Sequence, residues 1–346
     1  MNILYIGEDN IHSTSRHRME ALVRLNHAVT IINPRLAVKK YLTNAILNKL
    51  HYSTGYAFLQ PVVAKWLTAQ LSVLPKPDLI WVNSGELIGR QAALVLKAVG
   101  CPMVLYNNDD PTGKRDGNRF KSLLKGLRYY DLCVVRYEKE EAELKKYGAQ
   151  KVMKVFMSYD EVIHTSPYNS REQVPSQFQS EVAFIGTWIP HENRDLFFKE
   201  LIEEGVPVSI WGDGWERSAH YESIQSHMRG KSIHNTDYMT AIQGAKICIG
   251  LLSKGNRDLH TRRSVEVPYV GGLLCAERTS VHQKMYEEGV EAVFWSNAKE
   301  CAAICKELLS DDAKRESIRI KGMEKVRRLQ VGNEDICTAI LKNMGL

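Results

Sequence analysis

The sequence predicts an α/β protein of two lobes, each a parallel sheet covered on both faces by helices. Three observations carry this expectation. Short, wholly apolar runs alternate with helical patterns along most of the chain, as strands buried on both faces require. The alternation stops once, in a polar stretch with two prolines between residues 160 and 181, and then restarts. Finally, 346 residues exceed one ordinary core and suit two domains of roughly 150 residues each.

The first lobe, residues 1–160, opens as a β-α-β unit. "NILYIG" (2–7) reads as a strand, Met19, Leu22, Val23 and Leu25 mark one face of a helix, and "HAVTIIN" (27–33) reads as the second strand. Further strands are expected at 78–83, 102–107, 131–136 and 151–157. Residues 161–180 read as a linker. In the second lobe, 181–346, strands are expected at 182–188, 207–212, 245–252, 272–277 and 291–295. A helix over 298–309 is opened by Asn297 with Glu300 three residues on, the spacing of a capping box. The last helix is counted with the second lobe, with packing back onto the first left open.

Composition excludes several classes. A chain 44% hydrophobic and 25% charged folds into a globular core and is not disordered. No apolar run reaches the ~18 residues of a membrane-spanning helix, and "MNILYIGEDN" lacks the pattern of a signal peptide. The expected location is the cytoplasm, at most peripheral at the inner membrane face. Seven cysteines at 101, 133, 248, 275, 301, 305 and 337 show no zinc spacing and read as small core residues; no metal is expected. The net charge of +6 suits an anionic ligand, an anionic membrane surface or nucleic acid without choosing among them.

In open parallel sheets ligands bind at the carboxyl ends of strands, so the loops there are the candidate sites. Gly7 opens the loop after the first strand, and His12, Ser13, Ser15 and Arg16 either contact a ligand or cap the following helix. The loop is not Gly-x-Gly-x-x-Gly, which disfavours a dinucleotide enzyme. Asp109 and Asp110 stand where a general base or a sugar-hydroxyl acceptor would sit, but Asp-Asp-Pro-Thr-Gly is also a turn signal. Basic amphipathic helices are expected at 114–128 and 39–50. In the second lobe, Gly186 and Thr187 after one strand, and Gly212 after the next, let a ligand approach the backbone. The densest signal is "NRDLHTRRSVEVPYVGGLLCAERT" (256–279). Arg257, His260 and Arg263 precede a helical segment around Glu266, at an end that is already partially positive, so they point to a bound anion. Guanidiniums chelate phosphate oxygens, and a carboxylate one helical turn on accepts ribose hydroxyls.

This stretch resembles the C-terminal lobe of GT-B glycosyltransferases, in particular the spore-maturation CgeB-like branch. The residues that carry the resemblance are Asn256, Arg257, Asp258, His260, Thr261, Arg263, Glu266, Pro268, Gly271, Gly272, Glu277, Arg278 and Thr279. "FIGTW" with Arg194 downstream, "TDYMTAIQGAKICIGLL" and "EEGVEAVFW" extend it, strongly over 182–325 and loosely before. The resemblance implies a GT-B fold, two Rossmann-like lobes facing an interdomain crevice. A nucleoside-diphosphate sugar would be held mainly by the second lobe as co-substrate, with no cofactor and no essential metal. Glu266 falls on the ribose-binding Glu of the wider superfamily, and the shorter Asp258 falls on the partner acid of its Glu-x7-Glu motif.

On this reading the enzyme moves a sugar to a hydroxyl of a glycan, protein or small molecule. Arg257 and Arg263, with N–H groups near Gly186, meet the charge on the leaving diphosphate, and Asp109, Asp110 or His12 handles the acceptor hydroxyl. Two alternatives stay open: a DNA-modifying glycosyltransferase acting on a hydroxylated base, and a non-catalytic sugar-nucleotide-binding or spore-surface assembly protein. The chain lacks a recognisable nucleic-acid module.

Overall fold

The computed structural model describes residues 1–113, 115–136 and 138–346. The chain divides into two compact units. Unit 1 comprises Met1–Phe156, Gly255–Arg257 and Asn333–Leu346; unit 2 comprises Met157–Lys254 and Asp258–Gly332.

Unit 1 is built on β1 (Asn2–Ile6), β2 (Ala28–Ile32), β3 (Leu79–Asn83), β4 (Met103–Tyr106), β5 (Leu132–Val135) and β6 (Val152–Lys154), all parallel, in the order β2-β1-β3-β4-β5-β6. Alternation along the strands splits their apolar side chains between two cores. Leu4, Ile6, Ile80, Val82 and Leu105 face one. Ile3, Tyr5, Trp81 and Val104 face the other, where Met19 and Leu22 of the helix Thr14–Arg24 meet Ile336 and Ile340 of the helix Asn333–Asn343.

Unit 2 is built on β7 (Ser180–Ile185), β8 (Val208–Trp211), β9 (Met228–Gly230), β10 (Ala245–Gly250), β11 (Leu274–Glu277) and β12 (Val293–Trp295), also all parallel. Their order is β12-β11-β10-β7-β8-β9. Strand order therefore reverses between β1 and β3 in unit 1 and between β7 and β10 in unit 2, and a ligand crevice is expected at the carboxyl end of each reversal. β9 has no counterpart in the sequence reading: three residues, one of them Arg229, give no apolar run.

Two helical expectations change. The basic stretch 114–128 is not one helix. Gly117 takes φ 54, the described residues before Phe120 form turns, and only Lys121–Leu124 and the 3-10 turn Leu127–Tyr129 are helical; Lys114 lies outside the described residues. The stretch 39–50 spans two helices, Pro34–Leu42 and Ala45–Ser53, because the Asn44 side chain accepts from the N–H groups of Ile46 (2.9 Å) and Leu47 (3.1 Å) and starts a new one. The polar stretch 160–181 lies within unit 2, where the Arg171 side chain donates to the Gly244 carbonyl at 3.0 Å and Val174 is buried. Asn297 caps the helix Ala298–Ser310, accepting from Glu300 N–H at 2.9 Å.

The ends of β7 and β8 approach each other closely. A Cβ on Gly212 would lie 2.1 Å from the Gly186 carbonyl oxygen, which also accepts from the Trp215 indole at 2.9 Å. Gly212→Ala is therefore expected to destabilise the protein by about 1–3 kcal/mol through overpacking against backbone, read as a lowered midpoint in urea denaturation. A wild-type midpoint would show that the strand ends can part.

Candidate functional site

The carboxyl edge of β7 and β10 carries two arginines side by side. Arg194 opens the helix Arg194–Glu203 and is largely buried; it donates to the carbonyls of Thr187 (2.9 Å) and Leu252 (3.4 Å). Arg263 opens the helix Arg263–Val270 and donates from Nε to the Ile185 carbonyl at 2.7 Å. Burial and the neighbouring Arg263 charge lower the Arg194 pKa to about 10, against the pull of Glu192, Asp258 and Glu277. Both remain cations at neutral pH, and both sit at helix N-termini, where partial positive charge accumulates. The loop between Gly186 and Arg194 holds His191 and Asn193 in left-handed conformations (φ 65 and 54), which side chains with a Cβ rarely adopt. A small pocket lined by Ile185, Tyr238, Ile249, Arg263 and Val267 lies at this edge.

One turn into the helix from Arg263, Glu266 is buried and accepts from the Tyr238 hydroxyl at 2.8 Å, with His164 Nε2 at 3.4 Å and Arg262 at 3.6 Å. Burial alone would raise its pKa. Arg262, His164, the Tyr238 hydroxyl and Arg263 together outweigh burial and hold the carboxyl below its ordinary range, so it is an anion at neutral pH. Asp160 in turn donates its N–H to His164 Nδ1 at 2.7 Å, which makes Nε2 the ring's donor toward Glu266. The helix start is fixed by Ser264, whose hydroxyl accepts from Thr261 N–H (3.0 Å) and meets His282 Nε2 at 2.8 Å, while His282 Nδ1 lies 2.7 Å from the Glu277 carbonyl. Gly271, at φ 99, ends the helix in the conformation that glycine tolerates best.

The remaining residues of the stretch have other placements. His260 is fully buried and accepts from Met157 N–H at 2.9 Å, so it ties backbone together. Asp258 closes a turn, accepting from Ser253 N–H at 3.3 Å. Arg257 belongs to unit 1. Its guanidinium grips Asp110 through Nε (2.5 Å) and Nη2 (2.8 Å), and Glu143 through Nη1 (3.0 Å) and Nη2 (2.8 Å). Hydrogen bonds from Arg257 hold the Glu143 carboxyl down at about 2. Every donor-bearing nitrogen of Arg257 thus meets a carboxylate. Gly186 and Thr187 border Arg194 and Arg263, Gly212 lies on the Gly186 carbonyl, and Arg194, Arg263 and Glu266 form the cluster described above.

At the carboxyl edge of unit 1, Gly7 packs against Ser15 and Asn83. Ser13 caps Thr14–Arg24 by accepting from Arg16 N–H at 3.1 Å, and His12 is exposed beside it. Asp109 pairs with Arg115 (3.0 Å) and Arg119 (3.3 Å). Asp110 is buried under Arg257 and also accepts from the N–H (3.1 Å) and hydroxyl (3.0 Å) of Thr112. The turn reading and the acid reading of Asp109–Asp110 both have a physical basis, because the turn is what binds the acids.

Sequence reasoning missed His164, Tyr238, Ser264 and His282, which shape the site from distant positions. It also missed that all seven cysteines, buried as core residues, bring three together: the thiols of Cys275, Cys301 and Cys305 lie within 4.8 Å of one another. The signal available was Cys-x3-Cys on one helix face in 301–305.

The Arg257 cluster has a measurable consequence. A carboxyl held near 2 in the folded state and near 4.5 unfolded contributes stability that is complete above about 4.5 and lost as pH falls toward 2. Arg257→Ala is expected to cost about 3 kcal/mol by leaving Asp110 buried and unpaired, and to flatten this acid limb of stability in urea denaturation followed against pH. Retention of the limb in the variant would place its origin elsewhere.

Residues 194–333 match the profile of the family described as glycosyl transferase-like. Among curated proteins no significant match was found. Solved structures similar over the whole length include Anabaena HepE in complex with UDP-glucose, at 14% identity and TM-score 0.70, covering 100% of this chain and 99% of that one. The sucrose-phosphate synthase of Thermosynechococcus elongatus matches at 12% identity and TM-score 0.67, over 99% and 98% of the two chains. The UDP-forming α,α-trehalose-phosphate synthase of Burkholderia vietnamiensis matches at 13% identity and TM-score 0.62, over 99% and 100%. With two six-stranded parallel sheets in α/β lobes, the chain has the GT-B fold of these structures, and residues 194–333 are similar to the glycosyl transferase-like family.

Proposed function

We propose that the protein transfers a sugar from a nucleoside-diphosphate sugar to an acceptor hydroxyl, without a metal ion or cofactor. The observation that carries this reading is the pair Arg194 and Arg263 on strand-end carbonyls, with the ionised Glu266 one turn further along. Two guanidiniums suit a diphosphate, and a fixed carboxylate suits the vicinal hydroxyls of a ribose. The complex of HepE with UDP-glucose and the family profile over 194–333 support a nucleotide-sugar donor. The motif from Asn256 to Thr279 supports placement in the CgeB-like branch.

As the bond from anomeric carbon to diphosphate breaks, negative charge grows on the leaving oxygen. Arg194 and Arg263 stabilise that charge more than the ground state, which is what lowers a barrier. Arg257 has no part in this step, since its guanidinium is taken by Asp110 and Glu143. In unit 1, Asp109 and His12 are the groups for orienting or deprotonating the acceptor hydroxyl; Asp110 serves to position Arg257 and the turn. The acceptor is a hydroxyl of a glycan, protein or small molecule. DNA is the weaker reading, because a duplex needs a row of phosphate contacts, and Arg257, Arg115 and Arg119 are spent on carboxylates.

Calorimetric titration of nucleoside diphosphates tests the donor site. Arg263→Lys keeps the charge and loses the fork that spans the Ile185 carbonyl and a ligand, so affinity should fall roughly tenfold or more. Glu266→Gln should cost about 1.5–3 kcal/mol with a ribonucleotide and little with its 2′,3′-dideoxy analogue. Equal losses with both ligands would make Glu266 a structural residue only.

Metal independence is tested by measuring transfer, or donor hydrolysis, in EDTA. Activity is expected to persist, because fixed cations neutralise the leaving group. Abolition by EDTA with rescue by a divalent ion would overturn this and make Asp109 and Asp110 the first candidates for its ligands.

A further inference from the structure

We infer that residues 34–58 of unit 1 dock on an anionic lipid surface. Two independent observations carry it. The first is charge: between Glu20 and Asp78 the chain has seven Lys or Arg residues and no carboxylate side chain. Lys39, Lys40 and Lys49 are exposed within the proposed segment.

The second is an outward-facing apolar stripe. Among the described residues, six of the seventeen exposed large hydrophobic side chains fall in this short segment: Leu36, Ile46, Leu47, Leu50, Tyr52 and Phe58. The helix Ala45–Ser53 buries a single residue, His51. Ile46, Leu47 and Leu50 share one of its faces, the arrangement a globular helix normally turns into a core. Here that face points to solvent, with Ile46 79% exposed and Phe58 on the following turn 66% exposed.

Apolar side chains that protrude beside ammonium groups match the boundary between acyl chains and anionic headgroups. A second copy of this chain is a poor occupant, because a two-fold contact through the stripe would set Lys39, Lys40 and Lys49 against their own copies. No carboxylate partner of these lysines is seen among the described residues, and Glu86 and Asp116, the acids that reach the segment, are taken by Arg35 and Tyr52. The inference is independent of the transfer chemistry, which is proposed for Arg194, Arg263 and Glu266 of unit 2 and Asp109 and His12 of unit 1, none of them within residues 34–58.

Flotation of the full chain with vesicles tests it, using phosphatidylcholine alone and phosphatidylcholine with about 30 mol% phosphatidylglycerol. Partitioning is expected to be at least roughly tenfold greater on the anionic vesicles and to fall as salt screens the lysines. Lys39→Gln/Lys40→Gln/Lys49→Gln should lower it by on the order of a hundredfold, since each lysine near an anionic leaflet contributes roughly fivefold. Ile46→Ser/Leu50→Ser/Phe58→Ser should lower it by roughly tenfold or more, with the melting transition and nucleoside diphosphate binding unchanged. Absence of binding to anionic vesicles, equal binding to both kinds, or indifference to both triple variants overturns the inference. So does a monomer–dimer equilibrium in light scattering that the serine variant abolishes, which would assign the stripe to self-association.

Discussion

Two like charges held side by side on strand-end carbonyls are the constraint around which the site in unit 2 is arranged. Carbonyl oxygens of Ile185, Thr187 and Leu252 fix the direction of Arg194 and Arg263 without cancelling their charge. The nearby carboxylates are committed to other donors. Glu192 accepts from Ser253 and Lys254, Asp258 from Ser253, and Glu277 from Leu252 N–H and the Lys254 ammonium. The cost of the arrangement appears in Arg194, whose pKa falls to about 10 through burial and the charge of Arg263. An anion placed between the guanidiniums removes that cost.

The geometry around this pair is stiffened by groups that touch no ligand. His282 and Ser264 hold the turn through Thr261 that delivers Arg263, and Tyr238 and His164 hold Glu266. Each of these groups is bonded, and all but the half-buried Tyr238 are buried, so moving one strands another at a cost of about 1–3 kcal/mol. A ribose-binding carboxylate gains from this. Held in one rotamer and kept ionised, it loses little entropy when a ligand arrives.

The sheets were legible in the sequence because strands buried on both faces must be continuously apolar, as in "LYI", "LIWV" and "ICIG". β9 escaped because an edge strand of three residues carries no such demand. Helix continuity was less legible. The apolar spacing of Phe120, Leu123 and Leu127 is satisfied as well by turns and short helical pieces, since burial asks only that these side chains point inward. The residues of the stretch 256–279 divide among separate tasks: Arg263 and Glu266 in the charged cluster, His260 on a backbone N–H, Arg257 on two acids. Spacing along the chain could not make that division. The acids that capture Arg257 lie 147 and 114 residues away in sequence.

Arg257 and Arg194 differ in the number of carboxylates they meet. Arg257 meets two and has no charge left to offer, although it sits in the most suggestive position of the sequence. Arg194 donates to the carbonyls of Thr187 and Leu252, and in the sequence only its place downstream of "FIGTW" marks it. Burial and the charge of Arg263 disfavour the Arg194 cation more than Glu192, Asp258 and Glu277 favour it, so its charge is only partly offset. Arg278 is the reverse case: Glu288 and Glu300 both take its guanidinium, which also donates to the Phe294 carbonyl and so ties the end of β11 to β12 and the helix Ala298–Ser310. Arg257 and Arg278 thus tie elements of the fold together through carboxylates, whereas Arg194 and Arg263 lie on strand-end carbonyls, and it is on this difference that the proposed donor site rests.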